Sequence, residues 1–299
     1  MILVIGATGI VGGMITRQLL EQGKDVRILV RENSPSEHMA QQGMATSAKA
    51  LVAAGAQPIF GDLKAGHSLP LAVRGVQTVI TSANSARRGG ADNVQNVDRE
   101  GNRRLIAAAA AAGVEHFIFI SALGAAPDSP SDFMRAKAET DQRLRDSGMD
   151  YTIVAPTAFI EVWPAMVVGM PALQGQPVTL VGEGRRLHSF VSNQDVAAFA
   201  VAAVDKPRAR NEFLAIGGPQ PMSYRDVVAT YERHLAREIP VNYVQPGEPV
   251  PGLPDPMPMI LAAQETYDSA VPMDETAAAY GVQLSSLDDF VRRQISGQI

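Results

Sequence analysis

Residues 2–12 read ILVIGATGIVG. Ile2–Ile5 is an uninterrupted aliphatic run, which is typical of a strand buried on both faces of a parallel sheet. The loop after it carries glycine at positions 6, 9 and 12, and a helical pattern follows. Glycine lets the backbone approach a pyrophosphate, and the first turn of a helix offers unpaired N–H groups and a positive dipole end. A bare strand-to-helix turn also uses glycine, for steric reasons alone, but this context favours a dinucleotide-binding loop.

Short aliphatic runs alternate with helical stretches through the first half of the chain, which is typical of βαβ units. This succession predicts an α/β protein with a Rossmann-type, doubly wound parallel sheet and the strand order 3-2-1-4-5-6. The six predicted strands are Ile2–Ile5, Val26–Val30, Gln57–Phe60, Thr78–Thr81, His116–Ile120 and Tyr151–Ala155.

Beyond Pro156 the pattern loosens into an apolar stretch interrupted by prolines, and clear helix and strand patterns return only around residues 195–216. The sequence therefore predicts two interleaved domains. Residues 1–156 and 187–217 form the Rossmann domain in this prediction, and residues 157–186 and 218–299 form a smaller C-terminal substrate-binding lobe.

The composition of the 299 residues excludes several kinds of chemistry. A net charge of −5 argues against a nucleic-acid-binding protein. The absence of cysteine excludes disulfides, thiolate nucleophiles and iron–sulfur clusters, and the five histidines lack metal-ligand spacing, so no metal site is predicted. The longest uncharged run, 162–182, is broken by three prolines, and Met1 leads directly into the first strand. We therefore expect no membrane segment and a cytoplasmic location.

The second predicted strand is followed by Arg31 rather than by an acidic residue. An acidic side chain there would hydrogen-bond the adenosine ribose of NAD, whereas an arginine suits a 2′-phosphate. Ser34 would add a hydroxyl contact. The alternative is that Arg31 is only a solvated surface charge. The sequence favours NADP(H) over NAD(H).

Further motifs accompany the glycine loop, some directly after later strands and others in or near the helices. They are Gly61-Asp62-Leu63, Gly113-Val114-x-x-Phe117-x-x-Ile120-Ser121, Lys137, Ala155-Pro156-x-x-Phe159 and Val191-x-x-x-Asp195-Val196-Ala197. With these motifs the chain resembles the atypical short-chain dehydrogenase/reductases over nearly its whole length. The resemblance is closest to the NmrA-like branch, which includes quinone and triphenylmethane reductases and redox-sensing regulators.

The resemblance implies a cofactor site at the carboxyl ends of the strands. Asp62 is also explained as a helix cap or turn former, and Asn84 as a loop hydrogen-bonder. By resemblance, the pyrophosphate loop would be lined by Gly6, Thr8, Gly9, Ile10 and Val11. The 2′-phosphate would be held by Arg31, and the adenine would be flanked by Asp62 and Leu63. The ribose and nicotinamide would lie beside Ala83 and Asn84, with Lys137 hydrogen-bonding the nicotinamide ribose and Pro156 through Phe159 bordering the nicotinamide.

The chain departs from ordinary short-chain dehydrogenases at the proton donor. Those enzymes use Tyr-x-x-x-Lys, in which the tyrosine is the general acid or base. Here Phe133 stands four residues before Lys137, and no tyrosine of the chain has a lysine four residues later. Lys137 remains the catalytic candidate, against the alternative of an exposed helix charge. Without its tyrosine, Ser121 is expected to be a strand-end hydroxyl.

Apolar residues are expected to bind the substrate. They are Phe133 and, in the second lobe, Trp163 and Met166, which are also explained as ordinary core of that lobe. The sequence thus predicts an NADPH-dependent reductase that transfers hydride to a small apolar electrophile, such as a quinone or an enone, without a tyrosine acid. The alternative is a non-catalytic NADP(H)-sensing regulatory protein of the NmrA type. A small-molecule substrate is the expected partner, and the chain is expected to be a monomer or a homodimer.

Overall fold

The computed structural model describes residues 1–32, 36–41, 45–86 and 90–298, and Ser34 lies outside them. Seven strands form the main sheet in the order β3-β2-β1-β4-β5-β6-β8. The first six are in the predicted order, and the fold class is confirmed. The strands are β1 (Ile2–Ile5), β2 (Val26–Val30), β3 (Gln57–Phe60), β4 (Thr78–Thr81), β5 (His116–Ile120), β6 (Asp150–Pro156) and β8 (Glu212–Ile216).

The register of the sheet brings the carboxyl ends of its strands to one edge. Parallel pairing aligns Ile2 of β1 with Val26 of β2 and with Thr78 of β4, and Thr78 in turn with His116 of β5. Ligands of open parallel sheets bind at this edge, where the order of the strands reverses around β1 and β4. The residues that follow β1, β2, β3, β4 and β5 therefore define the candidate site.

Helices connect the successive strands of the main sheet along the chain. The helix that carries Lys137 begins at Asp132, where the Ser131 side chain caps it by accepting a hydrogen bond from the Met134 N–H. The helices are α1 (Ile10–Glu21), α2 (Ser36–Gln41), α3 (Ala48–Ala53), α4 (Leu69–Ala72), α5 (Glu100–Ala111), α6 (Asp132–Arg145), α7 (Met170–Leu173), α8 (Asn193–Asp205), α9 (Tyr224–Leu235), α10 (Met257–Gln264), α11 (Asp274–Tyr280) and α12 (Leu287–Ile295).

Two segments adopt the wider π-helical turn, Val94–Arg99 before α5 and Ala165–Gly169 before α7. The first begins with a capping box, in which Asn93 and Asn96 each accept a hydrogen bond from the backbone N–H of the other. Single π-helical turns are rare and occur frequently at functional sites. The sequence analysis did not predict either segment.

The chain divides into two compact units. The first unit comprises Met1–Ala155 and Val196–Leu214, and the second comprises Pro156–Asp195 and Ala215–Ile299. The sequence placed the return to the first unit at residue 187, but the backbone of His188 pairs with Met222 and that of Ser189 bonds Ser269, so this stretch belongs to the second unit.

The second unit has its own core. Strands β7 (Val178–Val181) and β9 (Val241–Val244) form a two-stranded parallel sheet that the sequence analysis did not predict. Beside it, α9 and α12 contribute buried side chains such as Tyr231 and Phe290. No helix in the described part of the chain is long and apolar enough to cross a membrane.

Candidate cofactor site

Two glycines of the loop after β1 are required by the packing of the loop itself. Gly6 has a φ of +85°, in the left-handed region, and a Cβ there would lie 2.9 Å from the Ala83 backbone nitrogen. A Cβ on Gly12 would lie 2.1 Å from the Gly6 carbonyl oxygen. Helix α1 therefore packs against the loop at a distance that only glycine permits. For these two positions the steric explanation holds in full.

Gly9 differs from Gly6 and Gly12 because it is less crowded: a Cβ there would lie 3.2 Å from the Gly6 carbonyl oxygen. It is exposed, it has extended backbone dihedrals, and it is the N-cap residue of α1. No side chain caps this helix, and its first turn carries no acidic residue. The N–H groups of the first turn thus lack the partner that a serine or aspartate cap supplies, and they are free to bind an anion. The residues present fit the pyrophosphate of a dinucleotide.

Thr46 holds the glycine loop from the other side, and the sequence analysis missed it. Its backbone N–H donates to the Thr8 carbonyl at 2.8 Å, and its side chain is buried. A Cβ on Gly13 would lie 1.9 Å from the Thr46 hydroxyl oxygen, so Gly13 makes room for this residue. A glycine in the first turns of a helix is the one signal in the sequence that could have indicated a close approach.

The residues at the ends of β2 and β3 lie at the predicted edge. The Arg31 Nη1 nitrogen donates to the Asp92 carboxylate at 2.9 Å. Asp62 is half-buried, and its carboxylate accepts the Lys64 backbone N–H at 2.8 Å, which is the turn-forming role considered for it. Leu63 is buried in the core of the first unit. It packs so closely against Gly101 that a Cβ there would lie 2.8 Å from the Leu63 Cγ atom.

The segment after β4 lies beside the glycine loop. The Ala83 backbone nitrogen is the atom that a Cβ on Gly6 would meet first. The Ala83 N–H donates to the Thr81 hydroxyl at 3.3 Å, and the Asn84 amide donates to the Ser82 carbonyl at 3.3 Å. The structure therefore brings Ala83 and Asn84 to the loop of Gly6, at the strand ends where the ribose and nicotinamide were predicted.

Lys137 of α6 is buried at the end of β5, so it is not an exposed helix charge. Its ammonium donates to the Ile120 carbonyl at 2.7 Å. It lies 4.5 Å from the centroid of the Phe119 ring and 5.3 Å from that of Phe133, which stands one helical turn earlier. Aromatic faces attract a cation, so Phe133 supplies a cation–π contact at the position where the Tyr-x-x-x-Lys pattern would place a tyrosine.

Two buried carboxylates accompany this lysine, and the sequence analysis missed both. Burial lowers the pKa of Lys137 to about 8, although the charges of Asp98 and Asp141 act in the opposite direction. Burial raises the pKa of Asp141 to about 6, against the opposing effects of the Ser121 hydroxyl and the Lys137 charge. The Ser121 hydroxyl donates to Asp141 at 3.0 Å, and the Ser85 N–H donates to Asp98 at 2.9 Å. Asp141 follows Lys137 by four residues on a helix, which is the signal that could have found it.

The apolar candidates of the second unit lie within one stretch of chain. Phe159 follows the last residue of β6, Pro156, and its carbonyl accepts the Trp163 N–H at 2.9 Å. Phe159, Trp163 and Met166 are each half-buried, and Trp163 packs against the core of this unit. Trp163 and Met166 lie in helical turns, Phe159 forms an isolated bridge with Val191, and all three retain some exposed surface.

Comparison with known proteins gives a consistent family and fold. A sequence model of the NmrA-like family matches residues 1–291. The chain is 33% identical over 279 residues to an NAD(P)H azoreductase of Xenophilus azovorans, covering 91% of this chain and 88% of that one. It is 32% identical over 243 residues to the photosystem II assembly factor Ycf39 of Cyanophora paradoxa, covering 81% and 71%.

Among solved structures, an NADPH-dependent quinone oxidoreductase of Escherichia coli superimposes with a TM-score of 0.78. The superposition covers 98% of this chain and 99% of that chain at 19% sequence identity. At this identity the likeness concerns the fold, and it agrees with the doubly wound sheet described above.

Proposed function

The chain belongs to the NmrA-like family, and we propose that it is an NADPH-dependent reductase of small apolar electrophiles such as quinones or enones. Two observations support a dinucleotide: the uncapped N-terminus of α1 at Gly9 and the close approach of Ala83 to the glycine loop. The 33% identity to an NAD(P)H azoreductase, over most of both chains, supports a reductase.

The observation that carries the proposal is the buried Lys137 ammonium facing Phe133 instead of a tyrosine. Phenylalanine cannot exchange a proton, so residue 133 does not supply the acid that alcohol–ketone interconversion uses. The bound nicotinamide would supply a hydride. An electron-poor acceptor takes that hydride without a strong enzyme acid, and solvent supplies the proton that completes reduction of a quinone to a hydroquinone.

Lys137 has the geometry to position a ribose. Its ammonium uses one proton on the Ile120 carbonyl, and a charged donor retains two more for hydroxyl oxygens. Fixing the sugar fixes the attached ring, and orientation of the two reactants is the main contribution that a protein makes to a cofactor-driven reaction. Phe133, Trp163 and Met166 are proposed to contact the substrate.

NADPH is proposed as the preferred form because Arg31 stands directly after β2, where a 2′-phosphate would lie. Its guanidinium is held by Asp92 and is half-buried, so it is presented in a defined position. A guanidinium binds a phosphate through two parallel N–H···O hydrogen bonds, in bidentate geometry.

The experiment follows the absorbance of the reduced nicotinamide with a quinone, an enone, an azo dye and a cationic triphenylmethane dye as acceptors. We expect turnover with NADPH. In Lys137→Met we expect the turnover rate to fall at least about tenfold, because a charged hydrogen bond is removed. Lys24→Met is the matched control, since Lys24 also pairs with a carboxylate, Asp205, at 2.6 Å but precedes β2 at the opposite edge of the sheet.

A non-catalytic NADP(H) sensor is the second candidate, and two observations favour it. Phe133 removes the usual acid, and the similarity to an assembly factor extends over 81% of this chain. Tight NADPH binding with no oxidation by any acceptor would favour the sensor and contradict the reductase.

A further inference from the structure

Three charged side chains meet at the edge of the main sheet, after β2, β3 and β4. The Asp92 carboxylate lies between two cations: one oxygen accepts from the Arg31 Nη1 nitrogen at 2.9 Å, and the other accepts from the Lys64 ammonium at 2.6 Å. Asp92 is the buried member, with a side chain only 6% exposed, whereas the side chains of Arg31 and Lys64 are 31% and 28% exposed. The Asp92 carboxylate is therefore buried beneath the two cations, and part of each cationic side chain remains exposed to solvent.

Lys64 is held in this position by its backbone as well as by its charge. Its N–H donates to the Asp62 carboxylate at 2.8 Å, and its carbonyl accepts the Arg104 guanidinium at 2.7 Å. A lysine on a freely moving loop loses conformational entropy when it binds a ligand, and a loop that is already fixed reduces this cost. The Lys64 ammonium is thus preorganised beside Arg31 before a ligand binds.

The two cations of the cluster can donate to an anion. The buried Asp92 carboxylate offsets the repulsion that Arg31 and Lys64 would otherwise feel, and with the Asp62 carboxylate, 4.0 Å from the ammonium, the four side chains carry no net charge. The ion pair uses only the Nη1 nitrogen of Arg31 within the described residues, and the ammonium of Lys64 has three protons. The Asp62 carboxylate stands farther off, at 4.0 Å from the ammonium, and is engaged by its own loop.

We propose that Lys64 is a second cation of the 2′-phosphate site, so that Arg31 and Lys64 together select a 2′-phosphorylated nucleotide. A guanidinium binds two phosphate oxygens in its plane, and an ammonium adds a point charge to the third. Asp92 acts as the buried counter-ion that keeps the two cations side by side. This inference rests on the proposed NADP(H) function, and the sequence analysis assigned the phosphate to Arg31 alone.

The test is calorimetric titration of the full chain with 2′,5′-ADP, 5′-AMP, NADPH and NADH. In Lys64→Gln, we expect the affinity for 2′,5′-ADP and NADPH to fall about tenfold or more, because one charged hydrogen bond is lost. The affinity for 5′-AMP and NADH is expected to change less than about twofold. Lys64→Arg keeps the charge and is expected to keep most of the preference. Lys24→Gln, which removes a cation paired with Asp205 at 2.6 Å, is expected to change none of the four affinities.

The outcomes separate this inference from the proposed function. Equal affinities of Lys64→Gln and the unmodified chain for 2′,5′-ADP, with NADPH still bound tightly, would overturn the role of Lys64 and leave the NADPH-dependent reductase intact. Equal weakening for all four ligands would also overturn it, because a general loss indicates a disturbed loop rather than phosphate recognition. Failure of the unmodified chain to bind NADPH or 2′,5′-ADP would overturn both proposals.

Discussion

Replacing Lys137 by methionine tests whether its ammonium is buried as deeply as the structure shows. Methionine has a similar length and no charge, so the substitution keeps the volume and removes the proton equilibrium. In the folded chain, burial lowers the pKa of Lys137 from its usual 10.5 to about 8. The unfolded chain therefore keeps a proton, between about pH 8 and pH 10.5, that the folded chain has released.

The direction and size of the effect follow from this difference. Stability rises with pH wherever the unfolded state binds more protons, so the free energy of unfolding contributed by Lys137 increases above neutral pH. At 1.36 kcal/mol for each pH unit, the two pKa values give a total of about 3 kcal/mol, of which about 2 kcal/mol appears between pH 7 and pH 9.5. Loss of the ammonium also raises the pKa of Asp141 further, which changes the comparison in the same direction.

The assay is urea unfolding of the unmodified chain and of Lys137→Met at pH 7 and pH 9.5. Other titrating groups affect both proteins alike, so the difference between the two differences isolates Lys137 and its coupled neighbour. We expect the unmodified chain to gain about 2 kcal/mol relative to the variant. Parallel dependence of the two proteins on pH would refute the burial of a charged Lys137, whatever happens to activity.

Three other predictions follow from named contacts. Gly12→Ala places a Cβ 2.1 Å from the Gly6 carbonyl and is expected to abolish nucleotide binding and lower the melting temperature, whereas Gly66→Ala, with its nearest neighbour at 3.4 Å, is expected to retain both in a melting and titration experiment. Asp141→Asn is expected to become more stable relative to the unmodified chain as pH rises from 4 to 7, because the raised pKa of about 6 makes the folded state hold a proton that the unfolded state has lost; equal pH profiles in urea unfolding would contradict this. Ser223→Ala removes the cap of α9 and is expected to cost about 1 kcal/mol in urea unfolding, and an unchanged midpoint would count against the capping box.

The sequence determined the sheet because its signals are local. An aliphatic run such as Ile2–Ile5 is buried wherever it is placed, and glycine at positions 6 and 12 is needed by the turn that the same residues form. The strand order of β1 to β6 is the one usual in doubly wound dinucleotide-binding sheets, which the glycine loop after β1 indicates. Arg31 was identified from its place directly after the second strand, and Lys137 from the resemblance to the short-chain dehydrogenase/reductases.

The surroundings of those candidates depended on tertiary structure. Asp92 is 61 residues from Arg31 in the chain, and Ser121 is 20 residues from Asp141, so no periodicity relates them. The π-helical turn Val94–Arg99, which places Asp98 in the interior, has no distinctive composition.

What the sequence by itself determined was the main sheet and its glycine loop, since steric and hydrophobic preferences act between neighbours in the chain. What only the tertiary structure decided was the electrostatics of the site. The pKa of Lys137 and the pairing of Arg31 depend on how much water distant segments exclude and on which charges they bring within reach. Desolvation is a property of the packed protein, and a residue list does not contain it.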